Sequence, residues 1–163
     1  MKAESLTLLF YDQLRDLHDA EKRIAAALPK MEQAASNPQL KAAFRKHLGE
    51  TQLQITRLEQ IFEAAGQKGT GKTCKATQGL IAETEESIAT YTDPTVLDAA
   101  LIADAQRVEH YEIAGYGTVM AYAKQLDNDH ALGLLQQTLQ EEKLTDQSLT
   151  VLAEALVNVQ AAS

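Results

Sequence analysis

The sequence predicts an all-α protein: an antiparallel four-helix bundle with one long crossover that carries an extra short helix. Three observations point there. Apolar residues recur at alternating spacings of three and four over long stretches, as on one face of a helix. No segment alternates apolar and polar residues with the period of two that a strand shows. The second half of the chain also repeats the first when shifted by 91 or 92 positions. At 163 residues and 45% hydrophobic content, residues 1–163 make one domain able to bury a core.

The first helix is expected over residues 4–35, with the stripe Leu6, Phe10, Leu14, Leu17, Glu21, Ile24, Leu28 and Met31 on one face. Pro29 falls inside it and should bend it or end it early, because it removes a backbone hydrogen bond. Ser36-Asn37-Pro38 places a capping side chain before a proline suited to a first helical turn, so a second helix should run from 38 to 65 and end at Gly66. These two form the hairpin 4–65. Residues 66–93 form the crossover, with a short helix near 74–91, long enough to return along the bundle before the second hairpin starts. Asp93-Pro94 starts the fourth helix, 94–126; the break Asp127-Asn128-Asp129 leads into the last, 129–159, completing the hairpin 94–159.

Residues 66–73, GQKGTGKT, match G-x-x-x-x-G-K-[ST], the pattern of a phosphate-cradling loop. Such a loop needs a strand to deliver its glycines, and the segment before Gly66 is QITRLEQIFEAA, an amphipathic helix with Ile55, Leu58 and Phe62 on one face. We therefore expect a flexible Gly/Lys connector and no nucleotide. A net charge of −8 and a pI near 5.0 speak against nucleic acid or an anionic membrane surface as partner. No apolar run approaches a membrane span, and Met1-Lys2 leads into mixed polar sequence with no signal-peptide core, so a cytoplasmic location is expected. The single cysteine, Cys74, forms no internal disulfide and reads as a small, partly buried residue.

The repeat places carboxylates in the core. Shifted by 91, the first stripe becomes Leu97, Leu101, Ala105, Val108, Glu112, Gly115, Val119 and Tyr122, with Glu112 where Glu21 stood. Shifted by 92, Leu40 maps onto Leu132, Ala43 onto Leu135, Glu50 onto Glu142 and Gln54 onto Asp146. One glutamate per helix thus converges at mid-height: Glu21, Glu50, Glu112 and Glu142, with Glu50 at the edge of its stripe. Glu109 and Tyr116 lie one turn either side of Glu112. An unpaired buried carboxylate costs several kcal/mol, and four rival a whole domain's stability of about 5–15 kcal/mol. The stripes contain no lysine or arginine, so protonation or metal must neutralise the set, and a pair of bridged divalent cations does so most completely.

AALIADAQRVEHYEIAGYGT (99–118), HLGETQLQITRLEQIFE (47–63), LRDLHDAEKRI (14–24) and LLQQTLQEEKLTDQSL (134–149) resemble the YciE/YciF family, with the CKATQGLIAE linker helix also matching. These are bacterial stress-associated proteins of the ferritin-like superfamily. The resemblance implies a ferritin-like bundle, a tendency to form homodimers, and a two-metal carboxylate site. The matching positions here are Glu21, Glu50, Gln54, Glu109, Glu112, Glu142 and Asp146. Our own reading of the set takes Glu21 and Glu142 as terminal ligands, Glu50 and Glu112 as bridges, and Glu109, Gln54 and Asp146 as completing or orienting the shell. Di-iron members commonly carry Glu-x-x-His on two helices, whereas this chain reads Glu50-x-x-x-Gln54 and Glu142-x-x-x-Asp146. An all-oxygen shell is therefore expected, suited to iron or manganese and also to magnesium or calcium. Gly49, inside a helix where the family usually has an acidic residue, is expected to mark a close helix contact.

His47, whose repeat partner is Leu139, is read as packing or as supporting a ligand; His110 and His18 are read as hydrogen-bonded structural residues, His130 as exposed. Tyr116 reads as core packing, with a hydrogen bond to a metal-bound carboxylate as the sharper possibility. The leading expectation is metal redox chemistry with O2 or peroxide in stress protection. The rival is a structural or interaction protein whose metal only fixes the bundle.

Overall fold

The computed structural model describes residues 5–163, so the expected start of the first helix at residue 4 lies outside the described residues. Each long helix begins on the cap its sequence offers. Ser5 Oγ accepts from the Leu8 N–H at 3.2 Å and opens α1 (Leu6–Ala34). Asn37 accepts from Gln39 at 2.8 Å and opens α2 (Pro38–Ala64); Asp93 accepts from Thr95 at 2.9 Å and opens α4 (Pro94–Gln125). Asn128 accepts from Ala131 at 3.0 Å and opens α5 (Asp129–Leu152). The crossover helix α3 (Lys75–Thr90) starts on Cys74, whose sulfur takes the capping position. Helix ends are matched too: left-handed Gly66 lets the Gln67 N–H reach the Phe62 carbonyl, and left-handed Asp127 lets the Asn128 N–H reach that of Ala123, both at 2.9 Å.

Helix α1 continues past Pro29 to Ala34, so the proline does not end it. The last helix departs from expectation in another way. After Leu152 it opens into a π-helical turn, Ala153–Val157, before a final turn Asn158–Ala161. Ala153 and Val157, at the two ends of the π-helical turn, are both buried in the cluster that holds Leu149.

Helix α1 lies beside α2 and α4, and α5 beside α4 and α2, while α3 packs on α4 and α1. Contacts across α1 and α4 step in opposite directions, Asp16 meeting Tyr111 and Ser36 meeting Asp98, so these neighbours are antiparallel. The same holds across α2 and α5, where Glu50 meets Thr145 and Arg57 meets Thr138. This is the bundle with one crossover that the repeat predicts, and among the described residues there is no strand. No described helix is long and apolar enough to cross a membrane.

The P-loop-like segment follows helix α2 and is tied to α1: Arg15 donates to the Lys68 carbonyl at 2.9 Å, His18 Nδ1 lies 3.0 Å from the Gly69 carbonyl, and Lys72 pairs with Asp12. Gly115, inside the inward stripe of α4, allows a close approach: a Cβ there would meet Leu17 Cδ2 at 2.7 Å. Gly49 does the opposite of what was expected. It is exposed, with nothing within 4 Å of where its Cβ would sit, so it marks no helix contact.

The apolar core falls into two clusters. One gathers Ile24, Leu28, Phe44, Leu101 and Leu149; the other gathers Phe10, Leu14, Leu58, Val119 and Leu135. What separates them is polar.

Candidate metal centre

That polar layer is built one helix at a time. Glu21 from α1, Glu109 and Glu112 from α4, and Glu142 from α5 are all at most 1% exposed, and His47 and Gln54 enter from α2 at 4% and 0%. Glu109 and Glu112 are both inward because a spacing of three keeps them on neighbouring faces of α4. Residues 47, 51 and 54 share the inward face of α2 for the same reason, and Thr51 is fully buried between the other two. One donor atom each from His47, Glu109, Glu112 and Glu142 lies within 4.8 Å of all the others.

Glu21 accepts a hydrogen bond from Tyr116, and its carboxyl touches that of Glu112. Glu109 in turn meets Glu142, and its Oε1 lies 3.1 Å from His47 Nε2. Between ionised carboxylates such contacts repel; a shared proton or a cation makes them attractive. Burial first, then the neighbouring Glu142 carboxyl, pushes Glu21, Glu109 and Glu112 well above the ordinary value of 4.5, while the Tyr116 hydrogen bond pulls Glu21 the other way. Burial lowers His47, favouring the neutral ring that ligates metals.

The hydrogen-bond ledger is the most telling feature. Buried polar side-chain atoms in folded proteins almost always find partners. Here Glu21 Oε2, both nitrogens of His47, Gln54 Oε1, Glu109 Oε2, both oxygens of Glu112 and Glu142 Oε2 have none; the 3.1 Å approach of His47 Nε2 to Glu109 lacks the alignment of a hydrogen bond. Among the described residues the only other such atoms are Thr51 Oγ1 and Asp104 Oδ2, so the shortfall is concentrated at this one layer. Oxygen and imidazole donors pointing into a shared, unsatisfied space fit a divalent cation.

The remaining sequence-predicted residues occupy the periphery. Glu50 is half-buried, its Oε1 paired with Lys46 and its Oε2 accepting from Thr145 at 3.4 Å and lying 4.0 Å from His47 Nδ1. Asp146, also half-buried, faces the α4–α5 seam, where Gln106 donates to it at 3.1 Å and His110 Nε2 lies at 3.2 Å. Gln54 donates to both Glu142 and Glu141, the latter at 3.1 Å, and Arg57 grips Glu141 with two bonds of 2.6 and 2.7 Å. Sequence reasoning missed Arg57 and Glu141, whose signal was only that each lies within one turn of a proposed ligand. His47 joins the cluster: its ring sits seven residues before Gln54, on the same inward face, and offers a nitrogen beside carboxylates that were expected to form an oxygen-only shell.

A four-helix bundle with a single long crossover and a buried His/Glu cluster between its two apolar halves defines a ferritin-like protein with a metal-binding cluster. A family model described as a domain of unknown function, DUF892, matches residues 5–162. Protein YciF of Escherichia coli is 45% identical over 162 residues, covering 99% of this chain and 98% of that one. The crystal structure of the E. coli stress protein YciF superposes with a TM-score of 0.91 at 46% identity, covering 95% and 98% of the two chains. YcfI of Rhodopseudomonas palustris gives 0.89 at 45% identity, covering 91% and 95%. A Xanthomonas campestris protein at 20% identity shares the fold, with a TM-score of 0.78 over 95% of each chain. The chain belongs to the YciE/YciF family.

Proposed function

We propose that this protein binds a pair of divalent metal ions, iron or manganese, at the mid-height cluster and acts in stress protection through O2, peroxide or metal redox chemistry. The observation that carries this reading is the set of unpartnered buried donors on Glu21, His47, Glu109, Glu112 and Glu142, which protein hydrogen bonds leave unsatisfied. The stress role is carried over from the E. coli relative, which is described as a stress protein. Two metal ions, when bound, supply a one-electron change at each centre and open positions for a small oxidant.

The chain's own residues set the conditions for that chemistry. Glu21, Glu109, Glu112 and Glu142 supply the negative charge, and His47 adds a neutral nitrogen on one side. Tyr116 fixes one oxygen of Glu21 and leaves the other free, and Gln54 does the same for Glu142. Arg57 and Glu141 hold Gln54 in turn. Glu50, now paired with Lys46, would have to release that lysine to hold metal, and Asp146 would act from the α4–α5 seam through its contacts with Gln106 and His110. Apolar clusters flank the layer above and below.

Anaerobic titration with ferrous iron tests the reading: about two equivalents should bind per chain, with magnetic coupling between them, and admitting dioxygen should oxidise both. A loaded protein that neither oxidises ferrous iron nor consumes peroxide above background would leave metal as a purely structural element. We further propose a homodimer, from the resemblance; sedimentation at monomer mass would overturn it.

A further inference from the structure

A cavity of about 60 Å³ adjoins the cluster on its His47 and Glu109 side. Its wall includes Ile24, Leu28, Met31, Phe44, Val108 and Leu149, drawn from all four bundle helices and all buried. Two buried threonines, Thr84 and Thr145, add hydroxyls to this wall. His47 and Glu109, both with unpartnered atoms, line it on the cluster side, and exposed Lys46 and Ser148 also border it, with Lys46 paired to Glu50.

Size and chemistry restrict what can occupy this space. It is less than half the ~150 Å³ of an apolar cavity that accepts benzene, so an organic substrate of that size does not fit. Hydrogen peroxide would lose its hydrogen bonds to water along such a wall, a cost an apolar diatomic does not carry. We infer that this cavity is the access and binding site for dioxygen, which it delivers to the His47–Glu109 side of the metal cluster. The inference rests on the proposed metal site and narrows its oxidant. The step balances without another reductant: two ferrous ions each give one electron to dioxygen, which takes two protons from solvent and leaves as hydrogen peroxide.

Xenon, apolar and of similar size, is the probe. Crystals of the full chain under xenon pressure should show the atom between Met31, Phe44 and Leu149. Ala43→Leu and Ala27→Leu, at two further wall positions, fill the space from different helices, so that one can fail to fold without ending the test. Each should exclude xenon, keep wild-type metal content, and slow oxidation of the ferrous protein by dioxygen about tenfold, equivalent to ~1.4 kcal/mol on the barrier. Their peroxide consumption should stay at the wild-type rate. An empty cavity in wild-type crystals, or undiminished dioxygen oxidation in a variant that excludes xenon, overturns the inference. A wild-type chain that loads no metal is a different failure, visible by elemental analysis, and it overturns the metal site itself.

Discussion

The Tyr116 hydroxyl on α4 donates to Glu21 on α1, and neither side chain has exposed surface. The bond joins two helices at the polar layer and leaves Glu21 Oε2 free. Burial, then the Glu21 carboxylate, pushes the Tyr116 phenol well above 10.0, so it remains a donor at any physiological pH. Tyr116→Phe keeps the ring and orphans a second oxygen. Metal-free protein should lose about 1–3 kcal/mol in urea unfolding, and metal-loaded protein less, since the ion satisfies the oxygen. Equal losses in both forms would show that the bond plays no part in arranging a ligand.

Gln54 is the neutral member of a crowded acidic layer, donating to Glu142 and Glu141. Gln54→Glu replaces that donor with another carboxylate. Without metal it should destabilise the chain by several kcal/mol, as an unpaired buried charge does. With metal it should bind divalent ions more tightly, measured by competition with a chelator. Unchanged stability and affinity would place Gln54 outside the electrostatics of the site.

The raised carboxyls make metal-free stability depend on pH. Glu21, Glu109 and Glu112 hold protons in the folded chain that they release above about 4.5 when unfolded, so their contribution is fully present below that value and is lost as pH rises through the raised values. His47, shifted downward from 6.5, acts oppositely: its contribution is lost as pH falls below its ordinary value. The three carboxyls outnumber the one ring, so urea midpoints of metal-free protein should fall between about pH 5 and pH 8. Metal at a hundredfold excess over Kd should add about 2.7 kcal/mol, on the order of 5–10 °C in Tm, and flatten or reverse the slope.

Two glycines predict opposite outcomes. Gly49 is exposed in mid-helix with open space at its Cβ, so Gly49→Ala should stabilise by about 1 kcal/mol. A Cβ on Gly115 would meet Leu17 at 2.7 Å, so Gly115→Val should cost about 1–3 kcal/mol through overpacking. Thermal melts of both variants check the pair.

The carboxylate positions were legible because helix periodicity and the internal repeat act on backbone register, which sequence reports directly. Glu21, Glu112 and Glu142 interrupt apolar stripes, and the structure buries all three completely. The caps Asn37 and Asp93 were equally legible, since each acts within three residues of itself. His47 and Arg57 were harder to read. Their roles come from what α4 and α5 place opposite α2, through Glu109 and Glu141, and no local pattern encodes that pairing. Gly49 was misread for a related reason: a helical glycine has no side chain to show which face it occupies, and this one faces solvent.

The most direct test is metal content per chain by elemental mass spectrometry, on protein purified without chelator or affinity metal, against a Glu112→Gln/Glu142→Gln double variant. The amides preserve shape and remove two of the buried charges. The proposed site predicts about two equivalents of iron or manganese in the wild type and near none in the variant. No metal in the wild type after anaerobic loading, or the same content in both proteins, would contradict it.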